Sequence, residues 1–171
     1  MTTQQSTSAS AVQSRFLVLF EPSQAIVHKV ANLYSRSAED RHDLVQDIAA
    51  ELWRAFPKYD SARPFTTWMY RIALNVAISH ARRAGYRQTQ PLESNEIAEQ
   101  LVDPIDPRVE TLHRFIRNLD ELNRALLLLY LDGHSHRESA EVLGISESNV
   151  GTKIARLKDR IRTDPAFANP E

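Results

Sequence analysis

At 171 residues with 42% hydrophobic composition, the chain is long enough for one large or two small packed domains. It has no cysteine, which excludes disulfides and thiolate metal sites. No apolar run is long enough to span a bilayer, so no membrane insertion is expected. Net charge is −1, yet the charge is sorted into blocks. Ser61 to Leu92 holds no Asp or Glu while carrying Arg63, Arg71, Arg82, Arg83 and Arg87. Glu93 to Glu110 reverses the balance, with Glu93, Glu96, Glu99, Asp103, Asp106 and Glu110 against Arg108 alone. Blocks of opposite sign bind different partners, or each other.

Residues 1–14 are rich in Ser, Thr and Gln and read as a disordered tail. They lack a basic start followed by an apolar core, so they are no secretory signal, and the expected compartment is the cytoplasm. Arg15 to Ser35 carries Phe16, Leu17, Leu19, Phe20, Ile26, Val27, Val30, Leu33 and Tyr34. This predicts a helix or a broken helical pair interrupted near Pro22, with Ser23 capping the second part. Asp40 to Phe56 is amphipathic: Leu44, Ile48, Leu52, Trp53 and Phe56 form the expected buried stripe. Asp43, Gln46, Asp47 and Glu51 line the polar side, and periodicity alone makes them a solvated face. Pro57 ends the helix.

Lys58 to Thr67 reads as a loop holding Tyr59, Arg63 and Phe65 beside Pro64. Thr66 or Thr67 is expected to cap a helix running to about Arg83, with Trp68, Ile72 and Val76 inward. Tyr70, Arg71, Leu74, Asn75 and Ile78 are placed on other faces, and Arg82 and Arg83 past the end. Rings and arginines mixed along an acid-free loop and helix suit a single-stranded nucleic acid, whose bases stack and whose backbone needs cations. The alternative, that Phe65 and Trp68 are simply core, stays open.

Gly85 to Val109 contains Pro91, Pro104 and Pro107 and reads as a linker with one weak helix near Asn95 to Leu101. Beyond it, Leu112, Phe115, Ile116 and Leu119 form a stripe, Asp120 opens a Leu-rich helix, and Gly133 stops it. His136 to Arg162 then reads as two helices and a tight turn. Gly144 ends the first and Ser146 caps the second, while Val150, Ile154, Leu157 and Ile161 make an apolar stripe. Asn149, Lys153, Arg156 and Arg160 recur on another face, with donors suited to base edges and phosphates. This is the helix-turn-helix plan. A helical hairpin with a solvated basic face is the rival reading. The tail after Thr163 is short.

No Gly-rich phosphate loop and no Ser-His-Asp arrangement is present, and the six histidines show no metal spacing. No catalytic residue, metal or cofactor is expected, and the chain is not read as an enzyme.

Three stretches together resemble the extracytoplasmic-function (group IV) sigma factors of bacterial RNA polymerase. They are DLVQDIAAELWRAF at 43–56, FTTWMYRIALNVAISHARR at 65–83 and the run LDELNRALLLLYLDGHSHRESAEVLGISESNVGTKIARLKDRIR at 119–162. The resemblance covers most of both domains. It implies an all-α fold of two small helical domains joined by a flexible linker. A region 2-like domain would occupy 15–88, an acidic linker 89–108, a region 4-like domain 109–163, and a tail 164–171.

The resemblance further implies an alternative sigma factor that binds core RNA polymerase through its β′ clamp and β flap and directs promoter recognition, melting and initiation. Asp43, Gln46, Asp47 and Glu51 would dock on the polymerase, reversing the solvated-face reading. Tyr59, Arg63, Phe65, Tyr70, Arg71, Asn75, Arg82 and Arg83 would hold the −10 single strand. Ser148, Asn149, Thr152, Lys153, Arg156 and Arg160 would meet the −35 element in the major groove. An anti-sigma factor or another regulator is an implied partner. One word departs from the family: where Asp-Ala-Glu-Asp is common, this chain has Asp40-Arg41-His42-Asp43. The alternative function is a stand-alone helix-turn-helix transcriptional regulator acting without polymerase docking.

Overall fold

Side-chain caps at Ser37, Asp120, Ser135 and Ser146 start four of the helices of this computed structural model, which describes residues 3–87 and 107–168. All regular structure among the described residues is helical. The chain divides into two compact units between residues 80 and 81, a boundary that falls inside the helix Phe65–Arg87.

The first unit opens with α1 (Thr3–Phe20), which already begins inside the stretch read as a disordered tail. A 3-10 turn at Glu21–Ser23 carries Pro22 near its start. Ser23 therefore does not cap α2 (Ala25–Tyr34); Gln24 holds that position without a side-chain hydrogen bond. Ser37 caps α3 (Ala38–Ala55), its Oγ accepting the Asp40 N–H at 3.1 Å. A second 3-10 turn at Phe56–Lys58 leads to α4 (Phe65–Arg87). Thr66 and Thr67 lie inside the first turn of α4 rather than before it. Arg82 and Arg83 sit within the helix rather than past its end.

The core of this unit comes from Val27, Val30, Ala31 and Tyr34 of α2, packed on α3 with its Leu44, Ile48 and Leu52. Trp53 departs from the expected stripe and is 44% exposed, its ring met edge-on by Phe16 of α1 at 5.3 Å. On α4 the inward residues are Met69, Tyr70, Ala73, Leu74 and Ala77, while Trp68, Ile72 and Val76 are only half-buried. The expected face is thus rotated. Apolar residues surround this helix almost completely, so periodicity selects no single face, and the neighbouring helices decide.

The second unit holds α5 (Pro107–Arg117), α6 (Glu121–Leu131), α7 (His136–Leu143), α8 (Glu147–Thr163) and α9 (Pro165–Ala168). Asp120 caps α6, its Oδ1 accepting the Asn123 N–H at 3.0 Å. Arg124 reaches back and donates to the carbonyls of Arg117 at 2.7 Å and Leu119 at 2.9 Å, satisfying acceptors that the end of α5 leaves open. Phe115, Ile116, Leu119, Leu126, Leu129, Val142, Val150, Ile154 and Leu157 fill the core. Gly133 follows α6 with φ +81°, which a residue with a Cβ rarely adopts.

The linker expected at 89–108 and its weak helix near 95–101 fall outside the described residues, save that α5 begins at Pro107. Among the described residues, no helix is long and apolar enough to cross a membrane.

Candidate nucleic-acid interface

The turn between α7 and α8 is set by three local devices. Ser135 and Glu138 form a reciprocal cap: the Ser135 hydroxyl accepts the Glu138 N–H at 3.2 Å, and the Ser135 N–H donates to the Glu138 carboxylate at 2.8 Å. The Ser135 hydroxyl also donates to that carboxylate at 2.7 Å, and the backbone bond first and this hydroxyl bond second hold the Glu138 carboxyl below its ordinary range. Gly144 then ends α7 at φ +67°, in the left-handed region, and the Ile145 N–H returns to the Ala140 carbonyl at 3.2 Å. Ser146 starts α8, its Oγ accepting the Asn149 N–H at 3.2 Å.

Val150, Ile154 and Leu157 turn α8 onto the core, which leaves Ser148, Asn149, Thr152 and Arg156 exposed on its outer side. The Thr152 hydroxyl donates to the Ser148 carbonyl at 3.0 Å. Lys153 and Arg160 differ from these four. Lys153 is half-buried and its charge helps hold down the Asp120 carboxyl. For that carboxyl, partial burial acts upward, and the hydrogen bonds from Asn123 together with Lys153 outweigh it. Arg160 lies over the Phe115 ring at 5.5 Å. At Gly151, in α8, an added Cβ would lie 3.5 Å from His136 Nδ1, at ordinary contact distance.

In the first unit an aromatic cluster closes the loop before α4. Tyr59 packs on Phe65 at 5.3 Å and on Trp68 at 5.1 Å, and Phe65 stacks on Trp68 at 5.3 Å. The Tyr59 hydroxyl donates to the Arg63 carbonyl at 2.6 Å, and the Asp60 carboxylate accepts the Ala62 N–H at 2.9 Å. The loop therefore has a built shape, with Arg63 exposed on it.

Two of the rings expected to hold the −10 strand lie inside the fold. Phe65 and Tyr70 are buried, at 8% and 3% exposure, and belong to the core. A ring enclosed by protein has no free face for a base. Half-buried Tyr59 and Trp68 are the rings at the loop with surface left; Trp68 was expected to point inward. Arg71, Asn75 and Arg82 are exposed and share one face of α4, at 100° per residue, with exposed Ser79, which sequence reasoning missed. Arg83 is exposed about a quarter turn away.

On α3, Asp43, Gln46 and Asp47 are exposed on the side opposite the buried Leu44, Ile48 and Leu52, and Glu51 at the margin pairs with Arg54. The Gln46 amide nitrogen lies 2.8 Å from His42 Nε2. Among the described residues, no His, Asp or Glu group is arranged to hold a metal ion.

Residues 19–87 match the sigma-70 region 2 family, and residues 110–161 match the sigma-70 region 4 family. The chain is 28% identical over 145 residues to the ECF RNA polymerase sigma factor SigM of Mycobacterium tuberculosis, covering 84% of this chain and 73% of that one. It is 29% identical over 151 residues to the ECF RNA polymerase sigma-E factor of Escherichia coli, covering 78% and 79%. Among solved structures it resembles CnrH in complex with the cytosolic domain of CnrY, at TM-score 0.64 and 25% identity over 90% of this chain and 91% of that one. In fold it also resembles the sigma factor RpoE, in complex with the anti-sigma factor NepR, from Bartonella quintana, at TM-score 0.63 and 17% identity over 84% and 91%.

Proposed function

Since the chain belongs to the sigma-70 family as an extracytoplasmic-function sigma factor, we propose how its residues divide the work of promoter-specific initiation. It is an alternative sigma factor that acts with core RNA polymerase at promoter DNA. The observation that carries the division of labour is the exposed row Arg71, Asn75, Ser79 and Arg82 on α4, next to a loop built by Tyr59 and Arg63. Arg71 and Asn75 offer donors to unstacked bases of the −10 strand, Trp68 offers ring surface, and Arg82 and Arg83 hold phosphates. Unstacking costs a few kcal/mol per base, offset by capture against such surfaces.

Ser148, Asn149, Thr152 and Arg156 read the −35 element from the major groove, since they are exposed donors grouped on the outer side of α8. Lys153 and Arg160, on the flank of that helix, contact backbone rather than bases. Asp43, Gln46, Asp47 and Glu51 form the docking face for the β′ clamp, and the second unit also docks on the β flap. Both matched families are regulatory, so no bond is made or broken by this chain. A protein regulator of the anti-sigma kind is a further partner, as the anti-sigma factor NepR is for RpoE; CnrH is likewise in complex with the cytosolic domain of CnrY. The compartment is the cytoplasm, where polymerase and promoter are.

Run-off transcription with core polymerase on a library of random fragments tests this reading. Chain-dependent transcripts sharing two spaced upstream elements support it. DNA binding by the chain alone, with no polymerase binding, overturns it in favour of a stand-alone regulator.

A further inference from the structure

The last helix, α9, is four residues long and cannot be stable by itself. It is held by packing on α5 and α8. Phe167 sets its ring edge against Phe115, with centroids 5.7 Å apart and planes at 76°. Asp164 makes the reversal that returns the chain: its carboxylate accepts the Ala166 N–H at 3.0 Å, and its carbonyl accepts the Phe167 N–H at 3.0 Å. The same Phe115 ring carries the Arg160 guanidinium 5.5 Å above its centroid. Phe115 is thus braced by a ring and covered by a cation. Phe167 lies beyond residue 161, where the region 4 match stops, while Phe115 and Arg160 lie within it.

A guanidinium resting on a ring keeps the N–H donors of its own plane pointing outward from its edge. It also loses less freedom when it binds, because the ring already limits its rotamers. Arg160 is exposed and lies along α8 on the flank it shares with Lys153. That flank suits a phosphate contact more than a base contact.

We propose that Phe167 is a positioning residue for promoter binding: through Phe115 it presets Arg160 to hold one backbone phosphate beside the upstream element. This rests on the reading of α8 as the −35 helix. A single phosphate contact contributes about 0.9 to the slope of log affinity against log salt. An orienting residue acts only while the residue it orients is present, so its effect vanishes when Arg160 is removed.

The test uses holoenzyme assembled from core polymerase and the full chain, bound to the promoter duplex recovered by the run-off selection, with affinity measured from about 50 to 200 mM salt. Arg160→Ala is expected to lower the slope by about 0.9 and weaken binding several-fold. Phe167→Ala is expected to weaken binding about threefold, Phe167→Tyr to restore it, and Phe167→Ala to add nothing in an Arg160→Ala background. Equal losses from Phe167→Ala with and without Arg160 would show a merely structural tail and overturn the proposal, as would an unchanged slope in Arg160→Ala. Arg156→Ala separates the two levels. If it weakens binding while Arg160→Ala does not, the bracket fails alone; if neither does, the reading of α8 fails with it.

Discussion

His80 Nε2 lies 2.6 Å from Asp40 Oδ1, joining the body of α4 to the first turn of α3. The other carboxylate oxygen of Asp40 accepts the Arg36 N–H at 2.8 Å. Asp40 therefore closes the α2–α3 connection and ties the helix assigned to polymerase docking to the helix assigned to the −10 strand. In the divergent word Asp40-Arg41-His42-Asp43, the first acid is engaged within the fold. Asp43, exposed, is the one left for a partner.

Both side chains of this pair are mostly buried, at 19% and 26% exposure. Asp40→Asn is expected to cost about 1–2 kcal/mol, and His80→Ala a similar amount, with the double variant costing less than their sum. Thermal melts of the four proteins check it. Additive losses would mean that the bond is not what couples the two helices.

Tyr70 and Arg71 are neighbours with opposite roles. Tyr70→Ala removes a core ring and is expected to destabilise by about 3 kcal/mol. Arg71→Ala, on the exposed face, is expected to shift stability by less than about 0.5 kcal/mol while weakening capture of a −10 single strand by the holoenzyme. Unfolding midpoints and anisotropy with a labelled single strand distinguish them. A stable Tyr70→Ala protein with reduced strand capture would restore Tyr70 to the interface.

Two glycines of the helix-turn-helix should respond in opposite directions. Gly144 has open space around it but sits at φ +67°, so Gly144→Ala is strained and is expected to cost about 1 kcal/mol, with Gly144→Asn costing less. Gly151 is helical, and a new Cβ would meet His136 at ordinary contact distance. Gly151→Ala is expected to stabilise by about 0.5–1 kcal/mol through helix propensity. Chemical denaturation of both variants decides, and a destabilised Gly151→Ala would show that His136 has no room to yield.

Acid should loosen the second unit. Glu138 and Asp120 both have carboxyls held below their ordinary values of 4.5 and 3.8. A carboxyl depressed in the folded state contributes stability that is fully present above its unfolded value and fades as pH falls through the folded one. Stability is therefore expected to be flat with respect to these groups above about pH 5 and to decline below about pH 4. Glu138→Gln should be less stable than the parent at pH 7 and converge with it near pH 2. Parallel curves at every pH would remove Glu138 from the account.

Much of the second unit was legible from sequence because its signals are local. Gly144 and Ser146 act within a few residues of themselves, and Val150, Ile154 and Leu157 recur with the helical period, so no partner helix is needed to read them. The family was legible for a related reason, since three separate words had to agree in order and spacing. The faces of α4 were not legible. Its apolar residues run nearly all the way round, and only the packing of the surrounding helices decided that Tyr70 and Leu74 go inward and Trp68 stays at the loop. The same holds for Trp53, left exposed when Phe16 meets it edge-on, and for the bond between His80 and Asp40. The return of Phe167 onto Phe115 belongs with them. Each joins residues on different helices, and composition and periodicity carry no information about which helix faces which until the core is packed.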